Sequence, residues 1–140
     1  MGRPRVVVAD DHLAVVEKLT DLLSSSYEVV GAVSNGQELV TETVRLEPDV
    51  VVLDVTMPIM DGIEAAHHLR ELGNSARLVF LTIHDEEELI EACLREGAQG
   101  YVLKAHMKTH LVPAIEAALL GCTFLSSAYA TRSMGERHHS

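Results

Sequence analysis

Short runs of β-branched residues alternate along the chain with longer stretches whose apolar positions recur every three or four residues. Val6-Val7-Val8 reads as a buried strand, and Val15, Val16, Leu19, Leu22 and Leu23 then follow at helical spacing. Tyr27 to Val33 is a second strand. Ser34 with Gln37 reads as a capping box that opens a helix running to about Leu46, which Pro48 stops. Val50-Val51-Val52-Leu53 is a third strand, apolar on both faces. Asp61 with Glu64 marks another helix start, with Ala65, Ala66, Leu69 and Leu72 inward. Leu78 to Leu81 is a fourth strand. Acid at Asp85 to Glu88 suits the N-terminus of the next helix, where the helix dipole favours it. That helix carries Leu89, Ile90, Cys93 and Leu94 and ends at Gly97. Tyr101-Val102-Leu103 is a fifth strand, and a last helix holds Leu111, Ile115, Ala118 and Leu119 before Gly121.

Five strands, each followed by a helix, with strands apolar on both faces, imply a parallel sheet covered on both sides. Right-handed crossovers then give an open, doubly wound α/β domain in three layers. The pattern stops after Phe124-Leu125, and residues 122–140 read as a tail or the start of a linker.

Composition narrows the function. The 140 residues are 47% hydrophobic, enough for one ordinary core, and no apolar run approaches the length of a membrane span. With 11 Lys+Arg against 21 Asp+Glu, the formal net charge is −10, a surface that repels a phosphate backbone. Aromatics at 4% offer little stacking for single-stranded nucleic acid. Two cysteines, Cys93 and Cys122, make no disulfide framework and fit a reducing compartment. The expectation is a soluble cytoplasmic protein that does not itself bind nucleic acid or membrane.

Ligands of open α/β sheets bind beyond the carboxyl ends of the strands. The first strand ends in Asp10-Asp11, the third in Asp54, the fourth in Thr82 and the fifth in Lys104. Three carboxylates and one ammonium leave −2. At ~4 Å each like-charge pair costs roughly 4 kcal/mol at an effective dielectric near 20. Either one carboxyl keeps a proton or a divalent cation sits there. Oxygen donors suit Mg²⁺, with Mn²⁺ the alternative, and argue against zinc. This is the outline of a phosphoryl-transfer site in which a carboxylate is the nucleophile.

These residues, with Met57-Pro58-Ile59-Met60-Asp61-Gly62, Thr82, Tyr101 and Lys104, resemble the receiver domain of two-component response regulators. The resemblance spans about residues 4 to 121. It implies a five-stranded CheY-like sheet of order 2-1-3-4-5. It makes Asp54 the phosphoacceptor for a phosphohistidine on a sensor histidine kinase. Mg²⁺ is then bound by Asp11, Asp54 and the Thr56 carbonyl, with Asp10 acting mostly through water. Lys104 pairs with the phosphoryl group, and Thr82 and Tyr101 form a switch, the ring turning inward. Thr56 and His84 flank the hydrolytic water and set the phosphoryl lifetime. The face made by the fourth helix, fifth strand and fifth helix is the output surface, and homodimerisation on phosphorylation is a further expectation.

The segments Glu96 to Lys104 and Gly121 to Ser126 resemble the NarL/LuxR-type subgroup. That subgroup continues into a helix-turn-helix domain controlling transcription, for which these residues leave no room. The chain is then a fragment of such a regulator or a receiver acting through proteins alone. It is a switch rather than an enzyme, with only self-catalysed phosphotransfer and dephosphorylation. Ala105 stands where many receivers have proline. A phosphatase using an aspartyl phosphate would carry a second acid two residues after the nucleophile, and here that residue is Thr56. A flavodoxin would need a hydroxyl-rich phosphate loop where Asp10-Asp11-His12 stands. Of the remaining histidines, His12 follows the acidic pair and is read as helix-start surface, with contact to the site as the alternative. His67, His68, His106 and His110 are read as surface, Cys93 as packing and Cys122 as exposed.

Overall fold

A computed structural model describes residues 2–126; the expected tail from residue 127 onward lies outside them. Six strands and five helices alternate as β1 (Arg5–Ala9), α1 (Leu13–Leu23), β2 (Glu28–Val33), α2 (Gly36–Leu46), β3 (Val50–Leu53), α3 (Gly62–Glu71), β4 (Arg77–Thr82), α4 (Glu87–Arg95), β5 (Gly100–Leu103), a 3-10 turn (Lys104–His106), α5 (Met107–Leu119) and β6 (Phe124–Ser126). All neighbouring strands pair in parallel, in the order β2-β1-β3-β4-β5-β6.

The doubly wound architecture and the order of the first five strands are as the sequence implies. The sixth strand is not. Phe124–Ser126 continues the sheet three residues into the stretch read as tail, pairing Gly100 with Phe124, Tyr101 with Leu125 and Val102 with Ser126. Three residues are too few to show a period, so only the partner strand reveals them.

Alternate strand residues feed two cores. Val7, Ala9, Val51, Leu53, Phe80 and Tyr101 pack under α2, α3 and α4. Val6, Val8, Val50, Val52, Val79, Leu81 and Val102 pack under α1 and α5. The wholly apolar run of β3 is explained by this two-sided burial, all four residues being fully buried.

The start of α2 corrects the sequence reading by one residue. Asn35, not Ser34, is the N-cap: its side chain accepts the Glu38 N–H at 2.9 Å and donates back to the Glu38 carboxylate at 2.5 Å. Overlapping Ser-x-x-Gln and Asn-x-x-Glu boxes compete here, and tertiary contact decides. The Gly36 N–H donates to the Met60 carbonyl at 2.8 Å, fixing Gly36 as the first helical residue. At α3 the expected capping box is present, Asp61 accepting from the Glu64 N–H at 2.8 Å.

Candidate functional site

The carboxyl edges of β1, β3, β4 and β5 bring together Asp10, Asp54, Thr82 and Lys104 because each is the last strand residue or follows it directly. Lys104 leaves β5 in a 3-10 turn, and its ammonium lies 2.8 Å from Asp10 Oδ2 and 2.8 Å from Asp54 Oδ2. Both carboxylates are almost wholly buried. Burial alone would lower the Lys104 pKa; the hydrogen bonds that Lys104 donates to Asp10 and Asp54, and their charges, outweigh it and hold the pKa above the ordinary lysine value.

Asp10, Asp11, His12 and Asp54 each present a ligand atom, all within 4.8 Å of one another. The three carboxylates and one ammonium therefore meet as the sequence implies. His12 combines both readings, helix-start surface and contact with the acids. It is the N-cap of α1 and its side chain is 67% exposed, yet Nδ1 lies 3.0 Å from Asp10 Oδ1 and 3.2 Å from Asp11 Oδ1. The fold of the turn makes this contact: the His12 N–H also donates to Asp10 Oδ1 at 2.9 Å, curling the ring over the acidic pair. The signal in the sequence was adjacency alone.

The donor chemistry fits a hard divalent cation, because the buried pocket keeps an excess of carboxylate oxygens after Lys104 is counted. Asp10, Asp11 and Asp54 would hold it. The His12 imidazole lies against oxygens of Asp10 and Asp11.

Thr56 and His84, on the loops after β3 and β4, are joined directly. Thr56 Oγ1 and His84 Nε2 lie 3.1 Å apart, His84 Nδ1 lies 3.6 Å from Glu86, and the Thr56 N–H reaches Asp54 Oδ1 at 3.4 Å. Thr82 is fully buried, and its hydroxyl accepts the His84 N–H at 3.4 Å. Among the described residues it makes no hydrogen bond to Asp54. Tyr101 is fully buried, its ring 6.4 Å from that of Phe80 and its hydroxyl donating to the His84 carbonyl at 2.8 Å. The ring is thus already inward. Burial first, then electrostatic interaction with Cys93, Glu86, Asp85 and Asp54, pushes its phenol far above the ordinary tyrosine value.

Two backbone details complete the edge. Ile59, in the loop between β3 and α3, is a β-branched residue at φ 71° and is 77% exposed. Gly62 donates its N–H to the Val55 carbonyl at 2.7 Å, and a Cβ on it would lie 1.9 Å from the Asp54 carbonyl oxygen. Elsewhere, His67 contacts Glu96 at 2.7 Å and Glu71 at 3.1 Å. The rings of His106 and His110 lie 5.1 Å apart, tilted by 58°, and find no third metal-type ligand among the described residues. Cys93 is buried and Cys122 exposed, as read. No helix among the described residues is long and apolar enough to cross a membrane.

Fold and edge together define a doubly wound α/β domain with a buried acid pocket closed by one lysine. The family model of the response regulator receiver domain matches residues 6–116, and the chain belongs to that family. It is 34% identical over 125 residues to the nitrate/nitrite response regulator protein NarL of Escherichia coli, covering 88% of this chain and 58% of that one. It is 31% identical over 115 residues to the chemotaxis protein CheY of Halobacterium salinarum, covering 82% of this chain and 96% of that one. The crystal structure of a LuxR-family two-component response regulator from Aurantimonas superposes with a TM-score of 0.87 at 31% identity, covering 99% of this chain and 100% of that one. The domain is of the NarL/LuxR type. The chain spans about three-fifths of the length of the curated transcriptional regulators it matches.

Proposed function

We propose that this receiver accepts a phosphoryl group on Asp54 from a phosphohistidine of a sensor kinase. The observation that carries this is the Lys104 ammonium held at 2.8 Å from both Asp10 and Asp54 within a pocket of excess carboxylate. A carboxylate oxygen of Asp54 attacks phosphorus, the P–N bond of the donor breaks, and the imidazole leaves with the electron pair. Lys104 and the Thr82 hydroxyl donate to the phosphoryl oxygens as negative charge develops on them. A divalent cation held by Asp11, Asp54 and the Thr56 carbonyl, with Asp10 through water, would neutralise the remaining charge. Thr56 and His84, bonded to each other over the pocket, regulate access of the water that returns Asp54 to the free acid.

The phosphorylated state is read on the face of α4, β5 and α5, by dimerisation or by a further domain. Similarity to NarL-type regulators supports transcriptional output through a DNA-binding domain outside these residues. Matching nearly all of a CheY protein supports a second reading, a receiver acting by protein contact alone. Intact-mass measurement with acetyl phosphate and Mg²⁺ tests the core of this. The mass gain of one phosphoryl group is expected in the native chain and absent in Asp54→Asn. No gain in the native chain, or an equal gain in both, overturns it. Thr82→Ala is expected to take up phosphate yet lose the change in oligomeric state or partner binding; unaltered coupling refutes its role as a switch.

A further inference from the structure

β6 is short, but its register shows what it touches. Leu125 lies opposite Tyr101, and paired residues in a parallel ladder point to the same face of the sheet. Both belong to the apolar core under α3 and α4. Without β6, β5 would be the sheet edge, so Leu125 stands between the tyrosine ring and solvent. A tyrosine χ1 has three staggered wells, and a well that sends the ring across the edge of β5 needs the space Leu125 fills. Ring outward and β6 docked exclude each other.

The ring is also tied to the acid pocket by a chain of contacts. The Tyr101 hydroxyl donates to the His84 carbonyl, the His84 N–H to Thr82 and the His84 ring meets Thr56, whose N–H reaches Asp54. Phe124 packs against the core on the opposite face of the sheet, and Ser126 is buried. Phe124 N–H donates to Gln99 at 2.9 Å, the Phe124 ring meets His110 at 5.6 Å, and Leu103 N–H finds the Ser126 hydroxyl at 3.3 Å. The pairing with β5 is only three residues long.

We propose that Phe124–Ser126 is a reporter strand, which docks on β5 when the Tyr101 ring is inward and leaves when the ring swings out. It rests on the proposed phosphoryl switch for its trigger: phosphorylation that favours the inward ring also favours docking. Coupling of this kind is reciprocal, so undocking the strand weakens the inward state by the same factor.

Leu125→Asp in the full chain, labelled with 3-fluorotyrosine, tests the coupling without phosphorylation. Tyr27, Tyr101 and Tyr129 are assigned by single Tyr→Phe changes, and amide exchange at 124–126 confirms that the strand has undocked. Phe124→Ser/Leu125→Asp serves if the single change does not undock it. The Tyr101 fluorine signal alone is expected to gain a solvent isotope shift; a signal that stays buried with the strand undocked overturns the proposal. In the native chain, beryllofluoride with Mg²⁺ is expected to raise protection of the 124–126 amides at least about fivefold. Unchanged protection with bound beryllofluoride overturns the link to the trigger. Failure of beryllofluoride to bind overturns the phosphoryl reading instead, while the fluorine result still decides the coupling.

Discussion

Gly62→Ala sets helix propensity against close approach. Gly62 opens α3 and does not lie at positive φ, so alanine is allowed by the backbone there. Propensity alone makes alanine the better residue by up to about 1 kcal/mol. The structure predicts the opposite. The added Cβ would lie 1.9 Å from the Asp54 carbonyl oxygen, 3.0 Å from its carbon and 3.2 Å from Phe80 Cε1. Reaching even 3.0 Å from that oxygen requires α3 and the end of β3 to part by about 1 Å. The 2.7 Å bond from Gly62 N–H to Val55 then opens as well. Forcing a methyl into a packed interior costs about 1–3 kcal/mol and the lost bond about 1 kcal/mol. After the propensity gain, Gly62→Ala destabilises by about 1–3 kcal/mol. The displaced carbonyl belongs to the proposed phosphoacceptor, and a shift of about 1 Å lowers the rate of phosphoryl uptake by up to about a hundredfold. Urea unfolding followed by circular dichroism gives the stability, and acetyl phosphate uptake gives the rate. A variant as stable as the native chain, with unaltered uptake, would refute the steric argument.

Lys104→Met leaves two buried carboxylates without their cation and is expected to cost about 3 kcal/mol or more in urea unfolding with EDTA. Mg²⁺ should stabilise this variant more than the native chain, and a loss below about 1 kcal/mol would contradict the pairing. His12→Gln frees oxygens of Asp10 and Asp11 from the imidazole and should tighten Mg²⁺ binding severalfold in a calorimetric titration; weaker binding would make His12 a helper rather than a competitor. Burial, then the charge of Asp61, pushes the Cys93 thiol up to about 12, and Tyr27 is likewise raised to about 12 by burial and Glu116. The unfolded chain releases these protons first, so stability falls as pH rises from about 9 to 12, with Cys93 alone contributing up to about 1.4 kcal/mol per pH unit. Lys104, whose pKa is also raised, adds to the loss above the ordinary lysine range. Cys93→Ala should flatten this alkaline slope, and an unchanged slope would assign it to other groups. In the native state a thiol reagent should label Cys122 and spare Cys93.

The fold was legible because burial on both faces writes itself into Val50 to Leu53 and its neighbours as unbroken apolar runs. The site was legible because topology sends every strand end to one edge, so Asp10, Asp54 and Lys104 could be placed together before any coordinates. What escaped depends on contacts between distant segments. Asn35 wins over Ser34 through Met60, and β6 exists through its pairing with β5. The need for glycine at 62 comes from the Asp54 carbonyl. None of these leaves a periodic trace.

The equal reach of Lys104 to Asp10 and Asp54 bears on how little the pocket must rearrange. Its ammonium shed most of its hydration when the chain folded, since the side chain is only 15% exposed. On the proposed phosphoacceptor reading, this donor would trade one oxygen partner for another without crossing through water. Preorganisation of that kind removes the solvent relaxation a surface lysine would have to undergo in the same exchange.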